Sequence, residues 1–162
     1  MKITFYIGQP GTGKTTLVRG ILEEFRKVEK DEFVEDGMVK YHRFNKQKVL
    51  ILGIYDDSTF AGTDRLAKSV GPKFRQWLVD NAETYADWGL VMEGERFMND
   101  KTLPLLFEQE SMILVCLKVT EEELVRRREA RNNTQNETWL KGMTTRVQNV
   151  CNTYSHVVWS TW

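Results

Sequence analysis

Cysteine and histidine are nearly absent from these 162 residues, with two of each. Cys116 and Cys151 belong to no ligand or redox motif, and with His42 and His156 they are too few for a zinc cluster. Cys116 lies in an apolar run and Cys151 in a helical pattern, so both are expected to be reduced core residues rather than a disulfide framework. An excess of one charge is also missing. The 23 Lys and Arg balance the 23 Asp and Glu, so no global field draws in nucleic acid or a membrane surface. No apolar run approaches the roughly 18 residues of a membrane span. The N-terminus carries no signal pattern, and the expectation is a soluble cytoplasmic protein. The sequons Asn132–Asn133–Thr134 and Asn136–Glu137–Thr138 are then coincidences. The length suits one domain, residues 1–162, with a full core, and there is no repeat, low-complexity tract or linker to divide it.

What the chain does have begins at its third residue. The apolar run Ile3-Thr4-Phe5-Tyr6-Ile7 meets Gly8-Gln9-Pro10-Gly11-Thr12-Gly13-Lys14-Thr15-Thr16, and a helical pattern follows at once. Gly8, Gly13, Lys14 and Thr15 fit G-x-x-x-x-G-K-[ST], the phosphate-binding loop. Glycines let the backbone curl its N–H groups inward around an anion, and the following helix turns its positive end on the same point. Lys14 is expected to reach the β- and γ-phosphates, and the Thr15 hydroxyl to hold Mg²⁺. Residues 8–16 thus predict binding of a nucleoside triphosphate. The alternative, a plain glycine turn at a helix start, does not require Lys14-Thr15.

Leu17, Val18, Ile21, Leu22, Phe25 and Val28 recur at helical spacing after the loop, and a charged stretch, 29–36, ends that helix. Residues 38–44 alternate and face the apolar run 49–55 across Asn45-Lys46-Gln47, which reads as a hairpin with a buried second arm. A polar, turn-rich loop covers 56–65. Gly71-Pro72 opens a helix with Phe74, Trp77, Leu78, Ala82 and Tyr85 on one side. A short strand at 90–93, a helix at 104–109 and a strong strand at 112–119 follow. Thr120 with Glu123 caps an arginine-bearing helix, and a last helix (138 to about 154) precedes a strand at 156–159. Strands alternating with helices argue an α/β fold, a parallel sheet covered on both faces.

Ligands of such sheets lie beyond the carboxyl ends of the strands. Asp56 and Asp57 stand there, and transfer of a phosphoryl group to a hydroxyl needs a carboxylate to orient it and take its proton. An aspartate-rich turn is the plain alternative. Asp64 is a second candidate, or the N-cap of a short helix from Arg65, and Glu95 stands behind it. Glu93 ends a buried strand where a Mg²⁺-side acid is expected, and as a glutamate it suggests a contact through water. Arg126 and Arg127 follow Glu122 and Glu123 at i,i+4, which explains them as surface pairs, whereas Arg128 and Arg131 have no acid four residues earlier. Arg127, Arg128 and Arg131 share one side, where planar cations could cover a triphosphate.

The phosphate loop, Glu93-Gly94-Glu95-Arg96 after a middle strand, and the arginine helix before a last helix–strand unit resemble small P-loop kinases of the nucleotide-kinase type. The resemblance covers nearly the whole chain. It implies a three-layer P-loop NTPase fold with a five-stranded parallel core, to which the 38–55 hairpin adds an antiparallel edge. It also implies an ATP·Mg donor and an arginine lid at about 120–137. Gly53-x-Tyr55-Asp56 leading into Phe60-x-Gly62-Thr63-Asp64-x-Leu66 is similar to P-loop kinases encoded by bacteriophages, among them the 5-hydroxymethyluracil DNA kinases.

A polymeric acceptor has one feature in its favour. Residues 37–55 hold no acid, while Lys40, Arg43, Lys46 and Lys48 interleave with Tyr41, His42 and Phe44. Basic side chains neutralise a phosphate backbone and aromatic rings stack on bases. Arg65, Lys68, Lys73 and Arg75 extend the basic surface near the turn-rich loop expected to hold the acceptor, and Asp64, Arg65, Arg96, Lys46 and Lys48 are the candidate acceptor-binding residues. An edge hairpin guarded by lysines is the plain alternative. A nucleotide-dependent switch competes with the kinase, but Asn45-Lys46-Gln47-Lys48 lacks the aspartate of a guanine-binding motif.

Overall fold

The computed structural model describes residues 1–56, 61–130 and 136–154, and the backbone of 157–161. Asp57, Arg131 and His156 lie outside the described residues. The strands are β1 (Lys2–Gly8), β2 (Glu32–Asp36), β3 (Val39–Phe44), β4 (Val49–Leu52), β5 (Gly89–Glu93), β6 (Ser111–Lys118) and β7 (Val157–Thr161). They form one sheet in the order β2-β3-β4-β5-β1-β6-β7. The run from β4 to β7 is parallel throughout, and β2 and β3 add an antiparallel edge. This is the P-loop NTPase arrangement that the strand–helix alternation and the resemblance imply.

Side-chain alternation on β1 builds the layers. Ile3, Phe5 and Ile7 enter the larger core with Phe74 and Trp77 of α2 (Val70–Asp80), Leu103 and Leu106 of α3 (Leu103–Phe107), and Met143 and Val147 of α5 (Glu137–Thr153). Tyr6 packs toward the smaller core, where Val18 and Leu22 of α1 (Lys14–Arg26) meet Phe44 and Ile51. A covered central strand is why 3–7 reads as a continuous apolar run. Phe5, Phe44, Phe74 and Phe97 are fully buried, each contributing about 1.5–3 kcal/mol by the area it removes from water. No helix among the described residues is long and apolar enough to cross a membrane.

Two expectations need correction. The charged stretch at 29–36 is more than a helix end, because Glu32–Asp36 forms edge strand β2. Four of its five residues are exposed, so neither alternation nor an apolar run marks it. Its register sets Glu35 opposite Lys40 and Glu32 opposite Arg43. Lys40 Nζ donates to Glu35 at 2.8 Å and Arg43 to Glu32 at 2.7 Å. The basic segment of the hairpin is thus matched by acids of the neighbouring strand.

The second correction concerns the cysteines. Cys116 and Cys151 form a disulfide with a Cα–Cα distance of 6.9 Å across 35 residues of sequence. Cys116 points into the core from β6, and Cys151 continues the inward face of α5 that carries Met143 and Val147. Docking that face on the sheet brings the two sulfurs together, an encounter that no spacing in the sequence encodes. The oxidised protein should take up no maleimide under denaturing conditions and two equivalents after reduction. Closing a loop of 35 residues is worth about 3–4 kcal/mol in the chain-entropy treatment. Urea unfolding with and without reductant should show a loss of that order.

Candidate active site

Gly13 adopts a left-handed backbone (φ 92°) as the N-cap of α1, turning the chain abruptly from loop to helix. The loop braces itself: the Thr12 N–H and hydroxyl both donate to the Gln9 carbonyl, at 3.2 and 2.9 Å. Lys14 Nζ donates to the carbonyls of Gly8 (2.9 Å) and Gln9 (3.1 Å). The lysine is therefore folded back over its own loop. From the other side comes α4 (Glu121–Ala130). Arg127 Nη1 donates to the Gly11 carbonyl at 3.3 Å. Arg128 donates through Nε to the Pro10 carbonyl at 3.3 Å and through Nη2 to Gln9 Oε1 at 3.2 Å. Two of the three arginines assigned to the lid thus touch the phosphate loop.

Glu123 accepts from the guanidiniums of Arg126 and Arg127 at 2.6 and 2.5 Å. These charge-assisted bonds hold its carboxyl down at about 2. The Arg127 pair is the one the spacing predicts. Arg126 chooses Glu123 over Glu122, and the Glu123 side chain turns to these cations while its backbone N–H donates to the Thr120 hydroxyl oxygen at 3.2 Å.

The parallel register sets Tyr6 beside Glu93, and the Gly94 N–H extends it by donating to the Tyr6 carbonyl at 3.1 Å. Glu93 therefore emerges next to the phosphate loop, where the Thr15 hydroxyl donates to its Oε1 at 3.3 Å. The described part of the turn-rich loop after β4 comes to the same place. Ile54 and Gly62 bridge in antiparallel fashion, and the Thr63 hydroxyl donates to the Glu93 carbonyl at 2.7 Å. This docking needs glycine at Gly62, where a Cβ would lie 2.0 Å from Glu93 Oε1, and at Gly94, where one would lie 2.6 Å from the Thr63 hydroxyl. Arg96 Nη2 closes the contact by donating to the Asp64 carbonyl at 3.0 Å.

Three acids are thereby gathered opposite Lys14. Burial pushes the Glu93 carboxyl up to about 7, with Lys14 opposing and Asp64 adding to the rise. Burial also raises Glu95, again helped by Asp64 and opposed by Lys14, Arg146 and Arg96.

The model of a known family, P-loop Nucleotide Kinase3, matches residues 1–160. The chain belongs to that family. No curated protein matches it. Membership supports a nucleotide-using phosphotransferase and accounts for a fold centred on the phosphate loop.

Mg²⁺ fits the residues present. Thr15 and Glu93 are hard oxygen donors 3.3 Å apart, and a cation between them would relieve the burial that raises Glu93. No group of three or more His, Cys, Asp or Glu among the described residues forms a metal site by itself.

The other predicted residues fall as follows. Gly8, Gln9, Pro10, Gly11, Thr12 and Gly13 form the loop, and Thr16 sits exposed in the first turn of α1. Asp56 accepts from Arg65 at 3.0 Å, and its carbonyl accepts from Arg19 at 2.8 Å. Arg65 is therefore committed, at least in part, to the loop itself. Lys48 pairs with Asp87, and the Lys46 N–H donates to Glu29 at 2.9 Å. Neither Arg19 nor Arg146 was anticipated. Each acts on the site from a helix whose docking brings it there, and nothing in the local pattern distinguishes it from a surface arginine.

Glu93 makes stability depend on pH. Its carboxyl sits at about 7 in the fold and at about 4.3 in an unfolded chain, so between those values the folded protein holds the extra proton. Stability should then fall as pH rises through that window. In nucleotide-free protein, Glu93→Gln should gain on the parent by on the order of 2 kcal/mol between pH 5 and pH 8. Urea midpoints at the two values check it, and parallel midpoints would count against the assignment.

Proposed function

We propose that this kinase transfers the γ-phosphoryl group of ATP, bound with Mg²⁺, to a hydroxyl of a nucleotide or nucleic-acid acceptor. The observation that carries this reading is the meeting of Lys14 and two arginines on the phosphate loop with three carboxylates at the end of the neighbouring strand. Loop N–H groups and Lys14 bind the phosphates, and Lys14 leaves the Gly8 and Gln9 carbonyls to do so. Arg127 and Arg128, together with Arg131 a few residues on in sequence, neutralise charge on the transferring group. Thr15 and Glu93 would hold Mg²⁺, which when bound stabilises the phosphate charge. A carboxylate orients the acceptor hydroxyl and takes its proton. Asp56 or Asp57 can serve if the Asp56–Arg65 pair opens.

The finer acceptor suggested by resemblance is the hydroxymethyl group of 5-hydroxymethyluracil in DNA, as for a bacteriophage enzyme of DNA modification in the host cytoplasm. Its support is the run from Gly53 to Leu66. Of the basic track, Lys40, Arg43 and Lys48 already face Glu35, Glu32 and Asp87. A nucleotide-dependent switch would hydrolyse ATP with no transfer.

Labelled ATP offered with nucleosides, nucleotides, oligonucleotides and hydroxymethylated DNA tests the reading, and hydrolysis with label on none of them would refute it. Lys14→Ala should lower kcat by about 10²-fold or more with the fold intact. A kcat within tenfold of the parent would contradict its role. Arg128→Ala should reduce kcat by a larger factor than it raises KM for ATP, as expected of a contact made to the transition state.

A further inference from the structure

The disulfide is built into the support of the phosphate loop. In the register of β1 with β6, Ile7 stands beside Cys116 and Gly8 beside Leu117. Contact there is close, since a Cβ on Gly8 would lie 2.8 Å from the Leu117 carbonyl oxygen. A cavity of about 130 Å³ separates the loop from α5. Gln9 and Thr12 line it from the loop, Leu117 from β6, Leu124 from α4, and Val147 and Gln148 from α5. Leu117 follows Cys116 in the chain, and Val147 and Gln148 stand one helical turn before Cys151. The Cys116–Cys151 bond therefore ties together two walls of a space whose third wall is the phosphate loop.

Breaking the bond cannot leave these walls in place. Two unbonded sulfurs need more room than a bonded pair, and a close-packed interior has little to give. Cys116 and Cys151 are both buried. Strand β6 is held by β1 on one side and β7 on the other, so it is the fixed partner. Helix α5 is held more lightly: of its 17 residues only Met143, Val147 and Cys151 are buried. Beyond Cys151 the ring of Tyr154 stacks on Phe107 with centroids 4.3 Å apart. That anchor directs the displacement into the turns before Cys151, which carry Val147 and Gln148. Gln9 and Thr12 face this wall, and they are the residues whose mutual hydrogen bond braces the loop. Gln9 also accepts from Arg128.

We propose that the Cys116–Cys151 pair is a thiol–disulfide switch on nucleotide binding, which is tight in the oxidised protein and weaker in the reduced one. The switch rests on the reading above that the phosphate loop binds ATP. In the reducing step a thiolate of a small dithiol attacks the Cys151 sulfur, because Cys151 keeps 7% exposure and Cys116 none. The bond between the two cysteines breaks, and Cys116 leaves as a thiolate that takes a proton. The second thiolate of the dithiol then attacks the mixed disulfide, which frees Cys151 and closes the dithiol's own disulfide. Two electrons pass from the dithiol to the protein. The coupling is reciprocal: a nucleotide that prefers the oxidised form must protect the bond from reduction by the same factor.

The test uses the whole chain with a non-hydrolysable ATP analogue, Mg²⁺ and dithiothreitol. Calorimetry is run on the oxidised and the reduced protein, with circular dichroism to show that both are folded. The reduced form should have a Kd about fivefold or more above that of the oxidised form. In mixtures of reduced and oxidised dithiothreitol, saturating analogue should shift the equilibrium toward the protein disulfide by the same factor. Cys151→Ala should bind the analogue as the reduced protein does and should ignore dithiothreitol. If that variant does not fold, the two forms of the parent chain decide. Equal Kd in the two forms, or an analogue without effect on the redox equilibrium, would overturn the switch and leave the kinase reading standing. A reduced chain that is unfolded would overturn it as well, since the bond would then be a staple for the whole fold. Binding to neither form would refute the nucleotide reading, and the switch with it.

Discussion

The site depends first on the parallel register between β1 and β5. Pairing Tyr6 with Glu93, and closing it with the Gly94 N–H on the Tyr6 carbonyl, brings an acid to the phosphate loop within hydrogen-bond reach of Thr15. A slip of one residue would turn Glu93 to the other face and leave the loop with no carboxylate beside it. The docking of the segment from Ala61 to Arg65 follows from this register, since the Thr63 hydroxyl donates to the carbonyl of the same glutamate. The close backbone contact excludes water, and that exclusion is the source of the raised Glu93 and Glu95 carboxyls.

The cations are organised around the same loop by a different means. Lys14, Arg127 and Arg128 all bind loop carbonyls, so positive charge is stored within reach of where phosphates bind. Glu123 fixes Arg127 in that pose. The arrangement costs little to reorganise, because neutral carbonyls are weaker partners than phosphate oxygens. Acids thus gather at the end of β5 while the cations lie on the phosphate loop, in a chain whose family is that of a P-loop nucleotide kinase.

Charge elsewhere is spent within the fold. The acid-free stretch that suggests a polymer track meets Glu32 and Glu35 on β2, and Lys48 meets Asp87. Such pairs at an edge guard it against association as well as balancing charge. Reading composition along a strand without its neighbour therefore overstates the field that a ligand would encounter.

By itself the sequence determined the phosphate loop, the strand–helix alternation and the arginine helix, and with them the P-loop kinase fold. These signals are local: a loop motif, a period of two or 3.6, a cap. Only the tertiary structure decided the rest. It made β2 a strand, joined Cys116 to Cys151, and paired Asp56 with Arg65. Each of these contacts links elements separated in sequence or relies on the neighbour beside an exposed strand. Their partners are chosen by how α5, the acceptor loop and the edge strand dock on the sheet, and the residues themselves carry no mark of that choice.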